Sequence, residues 1–190
     1  MGIVSFFTFF IVEICTGTNI FEIDGSYWMT NIMIYLAFYA FIYLLTMRMK
    51  LSLIIGLALC AIAGVANGFV IVFRGSPILP ADLFLIKTAM EVGGNYSFEP
   101  TVGMLIGIAA IIITVMLIWN IKEVKVKWKG RLGGAIAYVL FLCFGLIHFQ
   151  QVAQTQLYMV NLWQPVRTYQ RYGTGYGFGL NVIAMQVQKP

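Results

Sequence analysis

Charged residues are scarce in this chain. Only 10% of its 190 residues are Asp, Glu, Lys or Arg, whereas 61% are hydrophobic. A soluble domain carries about 25% charged residues, so this deficit excludes an ordinary soluble globular protein. The composition, with a mean hydropathy of +0.88, is typical of a chain whose main solvent is lipid.

Residues that ligate metals or form disulfides are also few. His148 is the single histidine, and the three cysteines Cys15, Cys60 and Cys143 lie far apart in apolar stretches without a CxxC spacing. An odd number of isolated cysteines predicts no disulfide framework, and one imidazole builds no metal site without partners. We therefore predict no metal site and no cofactor in this chain.

The basic residues are concentrated in one short segment, although the net charge is +5. That segment supplies five of them: Lys122, Lys125, Lys127, Lys129 and Arg131. Clustering of this kind encodes the orientation of a membrane protein, because loops rich in Lys and Arg stay in the cytoplasm. The charge therefore predicts a cytoplasmic loop and no nucleic-acid partner.

Apolar runs of membrane length recur along the chain. They predict an all-α polytopic membrane protein with five transmembrane helices, since a span needs about 20 apolar residues. The predicted spans are residues 2–17, 29–47, 51–73, 101–119 and 132–149. With the lysine-rich loop inside, the amino terminus is predicted to be cytoplasmic and the carboxyl terminus extracellular.

Few polar residues interrupt these spans. Glu13 has two open interpretations: it lies near the outer interface, or it is a buried partner for a basic residue elsewhere in the bundle. Asn67 is predicted to form a hydrogen bond to a neighbouring helix. Small residues of the third span, Gly64 and Gly68 among them, let another helix approach closely, and their GxxxG pattern is interpreted as ordinary bundle packing.

The segment from Phe73 to Phe98 differs from the rest, because prolines, glycines and charges lie together between two apolar blocks. Pro77 and Pro80 predict an irregular turn. Asp82 is predicted to cap a short interfacial helix on the outer face, residues 82–92. Its proposed membrane-facing residues are Leu83, Phe84 and Ile86.

Arg74 precedes that turn at the outer end of the third span. We predict that its forked guanidinium binds a lipid phosphate, with Arg167 or Arg171 from the tail as partners. The alternative is that Arg74 only extends to the headgroups and has no specific ligand.

The tail, residues 150–190, is too polar to span a membrane and is predicted to be an extracellular juxtamembrane linker. Gly173, Gly175, Gly177 and Gly179 alternate with larger residues. A GxGxG phosphate-binding loop needs a strand before it and a helix after it, and neither is predicted. We interpret the run as a flexible interfacial loop with aromatic anchors.

The runs RGSPILPADLF and GGNYSF resemble the outward segment of the lipoteichoic acid synthase family, phosphoglycerol transferases of the alkaline phosphatase/sulfatase superfamily. Five spans with an extracellular tail are similar to the membrane domain of that family. The resemblance implies a Gram-positive bacterium, the plasma membrane as location and phosphatidylglycerol as the lipid partner. It also implies a catalytic domain encoded downstream.

The family's catalytic machinery, as the resemblance implies it, is an extracellular threonine nucleophile with a divalent metal such as manganese. No residue of this chain is assigned to that machinery, so we expect the chain alone to be inactive. Two other functions stay open. One is a freestanding membrane protein that binds a lipid or protein partner without an enzymatic role. The other is a small transporter, for which the spans offer few polar groups.

Overall fold

A computed structural model describes residues 1–85, 99–123, 128–156 and 164–187, and all regular structure within these ranges is helical. The α-helices, in chain order, are α1 (Gly2–Thr16), α2 (Gly25–Thr46), α3 (Met49–Arg74), α4 (Val102–Trp119), α5 (Trp128–Gln156), α6 (Pro165–Tyr172) and α7 (Thr174–Val187). Two 3-10 turns, Ile20–Glu22 and Pro80–Leu85, lie between them. The predicted all-α class is confirmed for the described residues.

Four helical stretches are long and apolar enough to cross a membrane: Gly25–Thr46, Met49–Arg74, Val102–Trp119 and Leu132–Gln151. They correspond to the second to fifth predicted spans. The first predicted span is also a helix, but α1 has only 15 residues. At 1.5 Å per residue it covers about 22 Å, less than the roughly 30 Å hydrocarbon core. A fifth span therefore stays a prediction.

Local capping explains where these helices begin and end. The side chain of Asp24 accepts a hydrogen bond from the backbone N–H of Ser26 at the start of α2. Thr101 does the same for Met104 at the start of α4. At the other end, α1 and α3 stop at Gly17 and Gly75, which have φ angles of 74° and 71°. Glycine takes this left-handed conformation without the steric cost that other residues incur.

Helix α1 lies in the middle of the bundle, packed against α3 and α4. Glycines allow this close approach. A Cβ atom on Gly68 would meet the carbonyl oxygen of Cys15, and one on Gly103 would lie 2.6 Å from the carbonyl oxygen of Ile14. The close packing predicted from Gly64 and Gly68 is confirmed, and α1 is the helix that they contact.

The core of the bundle forms where α1, α2, α3 and α4 meet. Its buried apolar residues are Val4, Ile11, Cys15, Tyr39, Leu53, Leu57 and Ile118. The phenol of Tyr39 lies 2.7 Å from the hydroxyl of Thr8, so both buried oxygens are satisfied. Close apolar packing and hydrogen bonds between helices are the interactions that hold a helical bundle together in lipid.

Helix α5 stands at the side of the bundle. None of the side chains that the structure describes in its apolar stretch is buried within the protein, and α5 contacts α2. A Cβ atom added to Gly133, Gly134 or Gly145 would meet nothing within 4 Å. In a membrane, lipid chains would contact most of this helix.

The bundle has two distinct ends. At the lysine end, Lys50 lies in the first turn of α3 and donates a hydrogen bond from Nζ to the carbonyl of Trp119 at 2.8 Å. At the tail end, α1 and α3 finish and α2 and α4 begin, and α7 contacts α1, α2 and the turn Pro80–Leu85. We use the terms lysine end and tail end for these two ends of the bundle below.

The glycine-rich part of the tail is not the flexible loop that we predicted. It begins α7, and α6 and α7 pack against each other and against the bundle. Tyr169, Tyr172, Tyr176 and Leu180 are almost completely buried. The prediction was wrong because the partners of the glycines lie on α2 and α6, which local composition does not reveal.

The predicted interfacial helix, residues 82–92, is described only in part. Residues 80–85 form a 3-10 turn that contains Asp82. Leu83 and Phe84 are exposed, at 53% and 79% of their surface. Ile86 and the rest of the predicted helix lie outside the described residues.

Candidate functional site

Arg74 forms four hydrogen bonds within the chain, although its side chain is 40% exposed. Its guanidinium forms a forked pair with Asp82, Nη1 to Oδ1 at 2.9 Å and Nη2 to Oδ2 at 2.6 Å. Nε donates to the hydroxyl of Ser76 and Nη2 to the carbonyl of Pro77. The fork that we predicted for a lipid phosphate is thus occupied by a carboxylate, which accepts in the same planar geometry. The guanidinium also lowers the pKa of Asp82.

The turn between Arg74 and Asp82 connects α3 to α6. The backbone N–H of Ile78 donates to the side-chain oxygen of Asn67 at 2.7 Å. The carbonyl of Ile78 accepts from the phenol of Tyr169 at 2.9 Å. Asn67 therefore binds the turn that follows its own helix, not the neighbouring helix that we predicted. These bonds fix α6 beside the Arg74–Asp82 pair.

Glu13 is completely buried at the tail end. The backbone N–H of Thr174 donates to its Oε1 at 2.6 Å, and the hydroxyl of Thr174 lies 2.9 Å from Oε2. Thr174 is the first residue of α7. The partner of Glu13 is therefore a helix N-terminus, whose free N–H groups and dipole favour negative charge.

Among the described residues no ion pair joins Glu13 to a basic side chain, so the predicted basic partner is not found there. The other interpretation, a position near the outer interface, stays a prediction. Hydroxyl groups complete the surroundings of Glu13: Thr16 lies 3.0 Å from Thr18 and 3.5 Å from Thr174, oxygen to oxygen. An ionised carboxylate accepts hydrogen bonds only, which suits a neighbourhood of donors.

Asn31 on α2 holds the other side of the same junction. Its amide nitrogen donates to the carbonyl of Tyr172 at 2.7 Å, and its oxygen accepts from the backbone N–H of Tyr176 at 2.9 Å. It also donates to the carbonyl of Tyr27 on its own helix. Sequence reasoning did not select Asn31. A polar residue inside a predicted span was the available signal, because such residues bond within the protein.

Glycines let the tail reach Asn31. Gly173 has a φ of 83°, and a Cβ atom there would lie 2.6 Å from the amide nitrogen of Asn31. A Cβ on Gly175 would lie 3.1 Å from the oxygen of the same side chain. We call the group Glu13, Asn31, Tyr172, Thr174 and Tyr176 the junction site.

Aromatic rings enclose the junction site. Tyr27 stacks on Tyr176 at 5.6 Å between ring centroids and meets Tyr172 edge-on at 4.8 Å. Phe149 of α5 meets Tyr176 edge-on at 5.1 Å. These rings exclude water from the hydrogen bonds beneath them, which strengthens those bonds.

Arg167 and Arg171 lie four residues apart on α6, and both are exposed. Residues at this spacing share one face of a helix. Within the described ranges, no carboxylate forms an ion pair with either of them. Arg171 lies over the ring of its neighbour Tyr172 at 5.7 Å. We call these residues the arginine pair.

Comparison of the chain with protein-family models, curated proteins and solved structures finds no match. The candidate site therefore depends on its own geometry. Within the described part of the chain, no three His, Cys, Asp or Glu residues come together as a metal ion would require. The arrangement presents two guanidinium groups on the exposed face of α6, while its buried face is fixed to the bundle.

Proposed function

We propose that this chain is the membrane domain of a phosphoglycerol transferase similar to lipoteichoic acid synthases. In this proposal it holds anionic glycerolipid, such as phosphatidylglycerol, at the outer face of a Gram-positive plasma membrane for a catalytic domain encoded downstream. The RGSPILPADLF and GGNYSF runs support the family, and four long apolar helices support the location.

The proposed orientation places the lysine end in the cytoplasm and the tail end outside. Arg48 precedes α3, Lys50 lies in its first turn and Lys122 follows α4, so these three basic residues lie at the lysine end. Glu22 and Asp24, in the loop between α1 and α2, belong to the other end. Basic loops are retained on the cytoplasmic side, which supports this orientation. In the same proposal α1 crosses the membrane as a short fifth span.

The arginine pair is the observation that carries the proposed lipid role. Arg74 donates to Asp82, Ser76 and Pro77, whereas Arg167 and Arg171 are exposed without a carboxylate partner among the described residues. Guanidinium groups bind phosphates by paired hydrogen bonds. We therefore assign the predicted phosphate contact to Arg167 and Arg171 and give Arg74 a role in holding the turn.

Co-purified lipid, quantified by mass spectrometry, tests this proposal. The test variant is Arg167→Gln with Arg171→Gln. The matched control is Arg48→Gln with Lys122→Gln, which removes the same charge from two exposed residues at the lysine end. We expect phosphatidylglycerol to be enriched over the bulk membrane ratio in wild type and control, and to fall to the bulk ratio in the test variant.

Two results would contradict the lipid role. One is undiminished enrichment in the arginine variant, which favours the freestanding membrane protein. The other is loss of enrichment in the control, which would place the anionic lipid at the lysine end.

A further inference from the structure

The junction site uses two side chains from the first two helices to hold the beginning of α7. Glu13 accepts from the backbone and hydroxyl of Thr174. Asn31 bonds to Tyr172 on one side of Gly173 and to Tyr176 on the other. The tail residues are more than 140 positions away along the chain, so these contacts join the two ends of the sequence.

The same contacts determine how α6 lies. Tyr172 is its last residue, and its carbonyl accepts from Asn31. At mid-helix, Tyr169 donates to the carbonyl of Ile78. Two fixed points on a helix of 8 residues leave little freedom to rotate about its axis. The direction in which Arg167 and Arg171 point follows from these bonds.

Hydrogen bonds at the junction site specify orientation in a way that apolar packing does not. Apolar contact is non-directional, so the buried face of α6 alone constrains its angle less narrowly than hydrogen bonds do. A carboxylate facing a helix N-terminus and an amide joining two backbone groups each accept a narrow range of angles. In some other proteins, polar groups buried at this cost specify one arrangement.

We propose that Glu13 and Asn31 are positioning residues for the lipid site: they dock the α6–α7 junction so that Arg167 and Arg171 face the lipid headgroups. This inference rests on the proposed function of the arginine pair. Neither residue touches lipid in this account, because both are fully buried. Their substitution should change lipid selection at a distance.

Spin labels measure the docking of α6 independently of lipid. We would place one label at Gln170, exposed on α6, and one at Phe21, exposed in the turn that contacts α6. The exposed Cys143 is replaced by alanine, while Cys15 and Cys60 are buried and remain. Pulsed electron resonance then gives the distance distribution between the labels, and mass spectrometry gives the lipid ratio of the same preparations.

Three variants perturb the junction site to different degrees. Glu13→Leu removes both carboxylate oxygens that accept from Thr174. Asn31→Asp replaces the amide nitrogen that donates to the carbonyl of Tyr172 with an oxygen, so two acceptors face each other. Asn31→Asp keeps the volume and the acceptor for Tyr176, so it remains informative if Glu13→Leu does not fold. Glu13→Gln keeps one acceptor for the N-terminus of α7 and serves as the conservative variant. Thr114→Val removes a buried hydroxyl that bonds only within α4 and controls for general destabilisation.

We expect Glu13→Leu and Asn31→Asp to broaden the distance distribution and to lower phosphatidylglycerol to the ratio found with Arg167→Gln and Arg171→Gln. Glu13→Gln and Thr114→Val should keep both the narrow distribution and the enrichment. A broadened distance distribution with unchanged phosphatidylglycerol enrichment would overturn the inference. A loss of enrichment in Thr114→Val as large as in Glu13→Leu would overturn it too. If the arginine variant itself leaves the lipid ratio unchanged, the proposed function fails and this inference fails with it, whatever the labels show.

Discussion

Glu13 illustrates how a single buried carboxyl group organises its surroundings. Removing a carboxylate from water is costly unless hydrogen bonds replace the lost hydration. Here Thr174 supplies two donors, and the N-terminus of a 14-residue helix supplies the favourable end of a dipole. A residue that would be a liability in an apolar helix thus fixes the position of a distant element.

Substitution of Gly173 should weaken the junction site. Gly173→Ala adds a Cβ atom 2.6 Å from Asn31 and forces a side chain into a φ of 83°. We expect a loss of about 1–3 kcal/mol in stability, typical of overpacking. The matched control is Gly134→Ala on α5, where a Cβ would meet nothing within 4 Å and helix propensity improves slightly. Thermal unfolding in detergent measures both. Equal unfolding temperatures for Gly173→Ala and Gly134→Ala would contradict the close approach of Gly173 to Asn31.

The Arg74–Asp82 pair should make a small contribution that depends on pH. Arg74 lowers the pKa of Asp82, so the pair stabilises the fold above the unfolded-state pKa of about 3.9. That stabilisation is lost as the pH falls through the lower folded-state value. Because the two side chains are 40% and 26% exposed, we expect about 1 kcal/mol or less. Unfolding midpoints of wild type and Asp82→Asn should differ at pH 6 and converge once the pH falls below the lowered folded-state pKa of Asp82. A constant difference would contradict the pairing.

Among the elements, α2 to α5 could be predicted from the sequence and α6 and α7 could not. Length and apolarity identify a membrane-length helix without any knowledge of its neighbours. Helix α7 contains Gly175, Gly177 and Gly179, which lower helix propensity locally. Tertiary contacts with Asn31 and Tyr169 compensate for this, and no local pattern encodes them. Arg74 was located correctly, but its Asp82 partner depends on the path of an irregular turn.

Helix α5 and the central helices should respond differently to the same substitution. Leu57 on α3 has no exposed surface and Leu140 on α5 is 65% exposed. We expect Leu57→Ala to destabilise the protein by about 2–5 kcal/mol because a cavity remains. Leu140→Ala should change stability by about 0.5 kcal/mol or less. Comparable losses, measured by thermal unfolding in one detergent, would mean that α5 packs against an apolar surface of this or another chain.

At the scale of the whole molecule, the charges of the two ends differ. The lysine end holds Arg48, Lys50 and Lys122, and the tail end holds the junction site and the arginine pair. Folding therefore brings the first and last described helices together at one end of the bundle. In our account this is the outer face, where an anionic headgroup would meet Arg167 and Arg171.

The predicted orientation can be measured in intact cells. In a Cys143→Ala background, cysteine at Gln170 on α6 should react with a membrane-impermeant thiol reagent. Cysteine at Lys122, beyond the end of α4, should react only after the cells are opened. Both positions are exposed on the protein, so burial would not explain a difference. Reaction at Lys122 and protection at Gln170 would mean that the protein has the opposite orientation.

The docking of α7 against α1 is the central claim, and a disulfide tests it most directly. The hydroxyl oxygens of Thr16 and Thr174 lie 3.5 Å apart, which suits a cysteine pair. We would combine Thr16→Cys and Thr174→Cys with alanine at Cys15, Cys60 and Cys143, and compare a control pair of Thr16→Cys and Thr46→Cys at opposite ends of the bundle. After mild oxidation, the account predicts a disulfide between the cysteines at positions 16 and 174. A thiol-reactive mass tag should then label this pair only after reduction, whereas it should label the control pair without reduction. Equal tagging of the two oxidised proteins would contradict the docked tail.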